Sequence, residues 1–269
     1  MNDTISKTKI GILGFFDILG YSSFLENNTP EAAATIVLNQ LVKIKERISD
    51  LHKYVLPTDD LREAYRQVLD PMEWLIFSDT ILLALPYGDD TTDDRKKAFA
   101  WVAFLANSIM LYRHMFDTGL PLRGAVSFGS FFIKETCFAG RPIIEAYRTS
   151  HKIELSGTIL APSAISELSK INAESHFKVI RMLTAEYLVP LKDQKNDRLP
   201  VLLPSLVKLP KVSTSDLRQL VAESFWRHNK DLSTDDLGKL INTELLFRFF
   251  HMRSPKIFGS EETPSKDEK

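Results

Sequence analysis

The chain has 269 residues, 44% of them hydrophobic, so it can bury a core and has the composition of an ordinary globular protein. Lysine and arginine (34) nearly balance aspartate and glutamate (35), which argues against a nucleic acid polymer or an anionic membrane as a partner. The single cysteine, Cys137, excludes an intrachain disulfide, and no stretch approaches the ~18 apolar residues that span a bilayer. These features predict a cytoplasmic protein.

The first part of the chain predicts alternating strands and helices. Residues 9–19 form an apolar run typical of a strand. Thr29 and Pro30 then supply an N-cap and a proline at the first helical position, and an apolar face follows at helical spacing over 37–51. Residues 54–71 are polar and bounded by prolines, which predicts a loop or lid with some helix. Residues 74–85 read as a hairpin hinged at Ser78 and Asp79.

The next elements complete a recognisable order. Thr92 is the expected N-cap of a helix whose apolar face runs over 102–116. Residues 122–133 predict a strand, 145–154 a helix, 157–161 a strand and 162–170 a short helix. The order β-α-β-β-α-β-α-β predicts an α+β fold of the ferredoxin-like βαββαβ kind.

Beyond residue 181 the pattern changes. One more strand is expected over 187–191, then a proline-punctuated apolar segment over 199–210, then amphipathic helices over 215–228 and 234–252. The sequence therefore predicts a domain over 8–192, a helical extension over 193–258 and a disordered tail over 259–269.

Two aspartates stand in apolar segments. Asp17 lies in Phe-Phe-Asp-Ile-Leu-Gly-Tyr (15–21) and Asp79 in Ile-Phe-Ser-Asp-Thr-Ile (76–81). A buried, unpaired carboxylate costs several kcal/mol, so such a residue needs a partner or a metal. Two acids on separate strands suit two-metal phosphoryl transfer. The alternative is that each acid caps a turn or pairs with an arginine.

Four segments in order resemble the class III nucleotidyl cyclases. Residues 15–21 resemble the family's F-x-D-I-x-G-F metal motif, and Ser78-Asp79-Thr80 resembles its second metal motif at a hairpin turn. Residues 122–129, beginning Leu-Arg-Gly, are similar to its R-x-G-x-x-x-G strand. Residues 140–148 resemble its G-x-x-V-N-x-A-x-R segment. The resemblance covers roughly residues 9–192 and implies a class III cyclase homology domain there.

The resemblance implies a two-metal site. Asp17 and Asp79 would hold two Mn²⁺ or Mg²⁺ ions, with the backbone carbonyl of Ile18 as a further ligand, and oxygen ligands suit these ions. The turn at Gly20 and Tyr21 would bring backbone N–H groups to the phosphates.

The resemblance also implies two catalytic cations, of which each has a structural alternative. Arg148 falls on the arginine that stabilises the transition state; otherwise it is a solvated helix residue or a partner of Glu145 or Glu154. Lys192 loosely matches a lysine on the triphosphate; otherwise it is an exposed surface lysine. Arg123 is expected to form a structural pair near the site.

The base-reading positions depart from the purine cyclases. They fall on Leu75 and Cys137, and Ile144 replaces the asparagine that orients the ribose. A site without paired polar groups selects ATP or GTP weakly. The pyrimidine cyclases of bacterial antiphage Pycsar systems are similar in the Phe-Ser-Asp-Thr turn at 77–80, the Ala146-Tyr147 pair, Glu154 and the extra C-terminal helices. This resemblance implies UTP, in preference to CTP, as substrate and a cyclic pyrimidine messenger read by a separate effector. Tyr147 could contact substrate or simply pack, and Cys137 could be a small core residue.

Each chain carries one metal motif and one arginine motif. The resemblance places these on opposite sides of a head-to-tail homodimer with two composite sites. Two alternatives remain open: a cyclase-like regulatory module that binds a nucleotide without turnover, and a palm-type nucleotidyltransferase, which the neutral charge disfavours.

Overall fold

A mixed sheet forms the centre of the protein, in a computed structural model that describes residues 8–48, 58–87, 93–135, 137–171, 174–193, 195–205 and 213–257. Its eight strands in chain order are β1 (Lys9–Ile18), β2 (Glu73–Phe77), β3 (Thr80–Pro86), β4 (Leu122–Lys134), β5 (Cys137–Gly140), β6 (Gly157–Leu160), β7 (Thr184–Pro190) and β8 (Asn196–Leu202).

The helices surround this sheet. They are α1 (Tyr21–Glu26), α2 (Pro30–Val37), α3 (Asp59–Leu69), α4 (Asp94–Asp117), α5 (Arg141–Ser150), α6 (Pro162–Leu168), α7 (Glu174–Leu183), α8 (Thr214–Trp226) and α9 (Thr234–Ile257). A π-helical turn, Leu38–Val42, follows α2, and residues 44–48 are again helical. None of the helices in the described ranges combines the length and apolar character that crossing a bilayer requires.

The sheet order confirms the predicted fold class. The strands run β2-β3-β1-β4-β6-β8-β7, with β5 paired to β4. Strand β1 is antiparallel to both β3 and β4, and β2 is antiparallel to β3. The first four strands therefore have the arrangement of a split βαβ unit, and the fold is α+β. The pairing of β4 with β6 is parallel, which makes the sheet mixed.

Successive side chains of β1 point to opposite faces of the sheet. The Phe16 ring lies close to Phe104 of α4, which is buried along most of its length. Phe15 faces the other way and contacts Tyr147 of α5 edge to face, at 5.4 Å between ring centroids. Asp17 shares the face of Phe15, because the two residues are two positions apart.

Gly124 makes room for the Phe16 ring. It lies directly across from Phe16 on β4, and a Cβ there would come within 2.6 Å of the ring. The glycine at this position of the Arg-x-Gly segment therefore has a packing role one strand away from Asp17.

Most expected elements are present, with two corrections among the helices. The helix expected over 145–154 is α5, which begins at Arg141 with Pro142 in its first turn and ends at Ser150. Within the segment expected to be a loop or lid over 54–71, residues 59–69 form the regular helix α3, capped by the Thr58 side chain. Residues 51–57 and Thr92 lie outside the described residues. The described N-cap of α4 is Asp93.

Two strands were not expected, and one of them, β8, lies beyond the predicted domain boundary at residues 192 and 193. Strand β5 has four residues and β8 contains Pro200, features that weaken the local strand pattern. Because β8 pairs with β7 and β6, the sheet continues past residue 192. Leu217 of α8 and Phe247 of α9 belong to the same buried cluster as the sheet residues, so the C-terminal helices share its core.

Candidate active site

The pairing of β1 with β3 brings Asp17 and Asp79 together. Asp17 lies opposite Thr80, the residue after Asp79, and the Ile18 N–H donates to the Asp79 carbonyl at 2.9 Å. Both aspartates line one open cavity of about 630 Å³. The predicted site residues that line this cavity are Asp17, Ile18, Gly20, Tyr21, Asp79 and Lys192.

Asp17 carries an ion pair. Nη2 of Arg123, directly across on β4, donates to Oδ2 of Asp17 at 2.7 Å, and the two side chains are only 8% and 12% exposed. This is the structural pair expected for Arg123, and it compensates the burial of the Asp17 carboxylate.

Asp79 is less enclosed than its sequence context indicates. It is half-buried, and the apolar residues before it, Ile76 and Phe77, are exposed on β2 at the edge of the sheet. Within the described ranges no cation forms an ion pair with Asp79. Its neighbourhood still affects Tyr21, because burial and then the negative charge of Asp79 raise the pKa of the Tyr21 hydroxyl.

The turn after β1 brings backbone N–H groups to the cavity. Gly20 has φ 73°, a left-handed conformation that favours glycine, and it is the N-cap of α1. The N–H groups of the first residues of a helix have no intrahelical acceptor. Tyr21, Ser22 and Ser23 line the cavity, so this turn can present donors to an anionic group.

The donor set suits a hard divalent cation. The two carboxylates and the Ile18 carbonyl are oxygen donors, and Mg²⁺ is usually held by one or two carboxylates together with substrate phosphates. Arg123 occupies Oδ2 of Asp17 and leaves Oδ1 as a donor. Across the described residues, no group of three or more histidine, cysteine or acidic side chains could hold a metal on its own.

Four predicted site residues lie outside this cavity. Leu75 is half-buried on β2 opposite Leu82. Cys137 is exposed on β5, where it pairs with Lys134, eleven residues beyond Arg123 along β4 and so about 35 Å away along the strand. The alternative of a buried core cysteine is therefore wrong.

Tyr147 and Arg148 are exposed on α5. The Tyr147 ring packs on Phe15 and on His151, so packing accounts for part of its role. No carboxylate in the described part of the chain pairs with Arg148, and Glu145 instead accepts a hydrogen bond from the Ser163 N–H at 3.0 Å. Neither residue lines the cavity of its own chain.

Sequence reasoning missed one wall of the cavity. Residues Asp231, Leu232, Ser233, Asp236 and Lys239, from the segment before α9 and its first turns, line the cavity with Asp17. They lie about two hundred positions away in sequence, and no local pattern indicates that they approach β1.

Lys230 is a buried lysine beside this wall. Its Nζ donates to the Gly119 carbonyl at 2.8 Å and to the Ser224 carbonyl at 3.2 Å. Burial lowers the pKa of Lys230 to about 7; nearby Asp236 opposes this shift and Arg227 adds to it. Its side chain contacts the turn after β1, since a Cβ on Gly20 would lie 3.2 Å from Lys230 Cδ.

The lowered pKa of Lys230 predicts a stability that rises with pH. Between about pH 7 and pH 10 the unfolded chain holds a proton on this lysine that the folded chain does not, so unfolding becomes less favourable as pH increases. At 1.36 kcal/mol per pKa unit, we expect the wild type to gain about 2 kcal/mol relative to Lys230→Met between pH 7 and pH 9. Urea denaturation at both pH values measures the free energy of unfolding of the wild type and of Lys230→Met. Lys178→Met, at an exposed position, is the control. A constant difference between wild type and Lys230→Met would contradict the assignment.

Comparisons with known proteins concern the fold alone. The sequence matches no family model and has no significant match among curated proteins. Among solved structures, the adenylyl cyclase CyaB from P. aeruginosa is similar over 77% of this chain and 99% of its own, at 15% identity and a TM-score of 0.44. The guanylate cyclase domain of RhGC from Catenaria anguillulae, in complex with GTP, is similar over 74% and 98%, at 12% identity and a TM-score of 0.44.

A class III adenylyl cyclase-like ATP-binding protein from Pseudomonas aeruginosa is similar over 64% of this chain and 38% of its own, at 14% identity and a TM-score of 0.39. These similarities describe the arrangement of strands and helices and carry nothing about chemistry.

Proposed function

We propose that the protein is a nucleotide cyclase, a lyase that converts UTP, in preference to CTP, into the 3′,5′-cyclic monophosphate and pyrophosphate. The observation that carries this proposal is the placing of Asp17 and Asp79 in one cavity, next to a turn whose N–H groups can bind phosphate. Asp17 on β1 and Asp79 in the turn between β2 and β3 together provide the pair of carboxylates that metal-assisted phosphoryl transfer requires.

In this reaction the ribose 3′-hydroxyl releases its proton to water and its oxygen forms a bond to the α-phosphorus. The bond from that phosphorus to the bridging oxygen breaks, and pyrophosphate leaves. Asp17, Asp79 and the Ile18 carbonyl would hold two Mn²⁺ or Mg²⁺ ions, which when bound supply Lewis acidity and offset the triphosphate charge. Arg123 keeps the Asp17 carboxylate in a fixed orientation. The turn at Gly20 and Tyr21 orients the phosphates, and Lys192 lies at the cavity to neutralise them.

The site is proposed to be composite, formed by two copies of the chain. Arg148 is exposed and lies outside its own chain's cavity, so a second copy would have to supply it to the α-phosphate. An exposed aromatic residue lies near each part of the proposed composite site. Phe77, two positions before Asp79, is 74% exposed, and Tyr147, next to Arg148, is 48% exposed. Exposed apolar side chains of this kind suit a protein interface.

The preference for a pyrimidine base follows from the absence of a polar side chain at position 75. Leu75 offers no hydrogen-bonding group, so the site lacks one of the paired polar contacts by which a purine is selected. A pyrimidine substrate would be held by the remaining contacts, with Cys137 and Tyr147 as candidate contributors from the second copy. The cyclic product would then act as a messenger in bacterial antiphage defence, read by a separate effector protein.

A second candidate is a regulatory module that binds a nucleotide without turnover. The Asp17–Arg123 ion pair favours it, because the arginine occupies one oxygen that a metal would use. The aliphatic Ile144 in place of the ribose-orienting asparagine favours it as well.

The test is incubation of the purified protein with each of the four ribonucleoside triphosphates and Mn²⁺, followed by mass spectrometry. We expect a cyclic monophosphate from UTP or CTP together with pyrophosphate, and none from the Asp79→Asn variant. Cyclic AMP or cyclic GMP would keep the reaction and overturn the inference from Leu75. No product from any nucleotide, with protein shown to be dimeric, would favour the regulatory module.

A further inference from the structure

The segment between α8 and α9, residues 227–233, docks on the helix that follows β1. We refer to it as the connector. His228 and Asn229 adopt left-handed backbone conformations, with φ of 67° and 56°. Asn28 donates to the His228 carbonyl at 2.7 Å, and Asn27 donates to the Asn229 carbonyl at 2.9 Å. The connector therefore has a defined path along α1.

Further contacts fix the connector at the cavity itself. The Asp231 N–H donates to the Ser23 hydroxyl at 2.8 Å, and Asn27 donates to the Asp231 carboxylate at 2.8 Å. At its other end, His228 Nε2 lies 2.7 Å from the Thr118 carbonyl, just after α4. These bonds place the first turns of α9 against the turn that follows β1.

Lys239, in the second turn of α9, is the cation that this arrangement brings to the cavity. Its side chain is only 10% exposed and its Nζ lies 3.3 Å from Oδ1 of Asp236. That distance exceeds the roughly 2.7–2.9 Å of a strong charge-assisted hydrogen bond. Asp236 also accepts hydrogen bonds from the N–H and hydroxyl of Ser233, so it has a capping role that does not depend on Lys239.

The other described cations of the cavity are less suited to bind an anion. Arg123 is already paired with Asp17, and Lys192 is exposed, so solvent screens its charge and weakens its contribution to anion binding. The described acidic residues of the lining, Asp17, Glu26, Asp79, Asp231 and Asp236, outnumber its basic residues. A polyphosphate entering this cavity needs a buried cation with donors to spare. The ammonium group of Lys239 has three donors, of which the contact to Asp236 uses one.

We propose that Lys239 binds the polyphosphate chain of the nucleotide, so that the C-terminal extension completes the nucleotide site. This inference rests on the proposed function for the identity of the ligand but not for turnover. Asp236 holds the ammonium group at the cavity wall, and the connector holds the helix that carries both residues.

The test is binding of the uridine series (UTP, UDP and UMP with Mn²⁺) by isothermal titration calorimetry, or of the cytidine series if CTP binds more tightly. Every variant is measured in the Arg148→Ala background, in which UTP is not consumed during the titration. Because a hydrogen bond to a charged group is worth a tenfold change or more, Lys239→Met should weaken UTP binding about tenfold. It should leave UMP binding within about twofold, because a monophosphate lacks the outer phosphates. Lys239→Arg should restore most of the UTP affinity. Lys178→Met, at an exposed position, is the matched control and should bind UTP as the wild type does.

Equal loss of UTP and UMP binding in Lys239→Met would overturn the inference, because that pattern indicates a structural lysine. Should Lys239→Met fail to fold, Lys239→Gln is used, and the same ratio of UTP to UMP decides. Wild-type protein that binds UTP in a Lys239-dependent manner but makes no product upholds the inference and overturns the cyclase. Product formation with unchanged UTP affinity in Lys239→Met overturns the inference alone.

Discussion

Asp79→Asn is expected to lower turnover by about 10³-fold or more while leaving the protein folded, because it removes one of the two carboxylates proposed to hold the metal ions in the cavity. Asp79 is half-buried and, among the described residues, has no ion-pair partner. The substitution should therefore change the free energy of unfolding by no more than about 0.5 kcal/mol. Product formation and urea denaturation of the same preparation measure both effects.

The equivalent substitution of Asp17 should differ in its effect on stability. Asp17→Asn should also abolish turnover, but it leaves Arg123 buried without its partner and should cost about 3 kcal/mol of stability. Asp70→Asn, at an exposed position, is the control and should change neither quantity. Activity retained by Asp79→Asn would remove it from the site, and unfolding of this variant would make the residue structural.

Mixing two inactive variants should restore activity. If each site takes its aspartates from one copy and Arg148 from the other, Asp79→Asn and Arg148→Ala homodimers are both inactive. A dimer of one chain of each kind has one intact site. Random exchange between symmetric dimers makes half of them mixed, so about one quarter of the wild-type activity should return. Initial rates of product formation after exchange of the two variants measure this recovery.

The control is a mixture of Asp79→Asn with Asp17→Asn. Both changes fall on the same side of the composite site, so every dimer in that mixture should stay inactive. Native mass spectrometry of chains with different tags verifies that mixed dimers have formed. Mixed dimers without activity in the first experiment would show that Arg148 does not act across an interface.

The sequence predicted strand β1 and the hairpin whose turn carries Asp79, since both lie in short apolar segments. That the two aspartates share one site was implied by the resemblance to the class III cyclase motifs. The sequence also indicated the Arg123 pair. The exposure of Ile76 and Phe77 was not predictable in the same way: an apolar run looks alike on an edge strand and in a core, and the sheet order decides which it is. The exposure of Cys137 on β5 was unpredictable for the same reason, because a small residue occurs both in cores and on exposed strands.

The connector could not be predicted from local patterns. The hydrogen bonds that join Ser23 to Asp231 span 208 positions, and serine, asparagine and aspartate occur in any loop. Strand β8 escaped prediction for a related reason, because Pro200 is unusual within a strand and its pairing depends on β7. Contacts of this range are set by tertiary packing rather than by propensity.

The reach of the connector has a consequence for biosynthesis. One wall of the cavity comes from the first thirty residues of the chain and the facing wall from residues 231–239. A growing chain exposes the first wall early, and contacts between distant parts of a sequence form late. A ribosome that has not yet released residue 239 therefore carries both aspartates but an incomplete pocket. Assembly of the pocket therefore waits for the synthesis of residues 231–239.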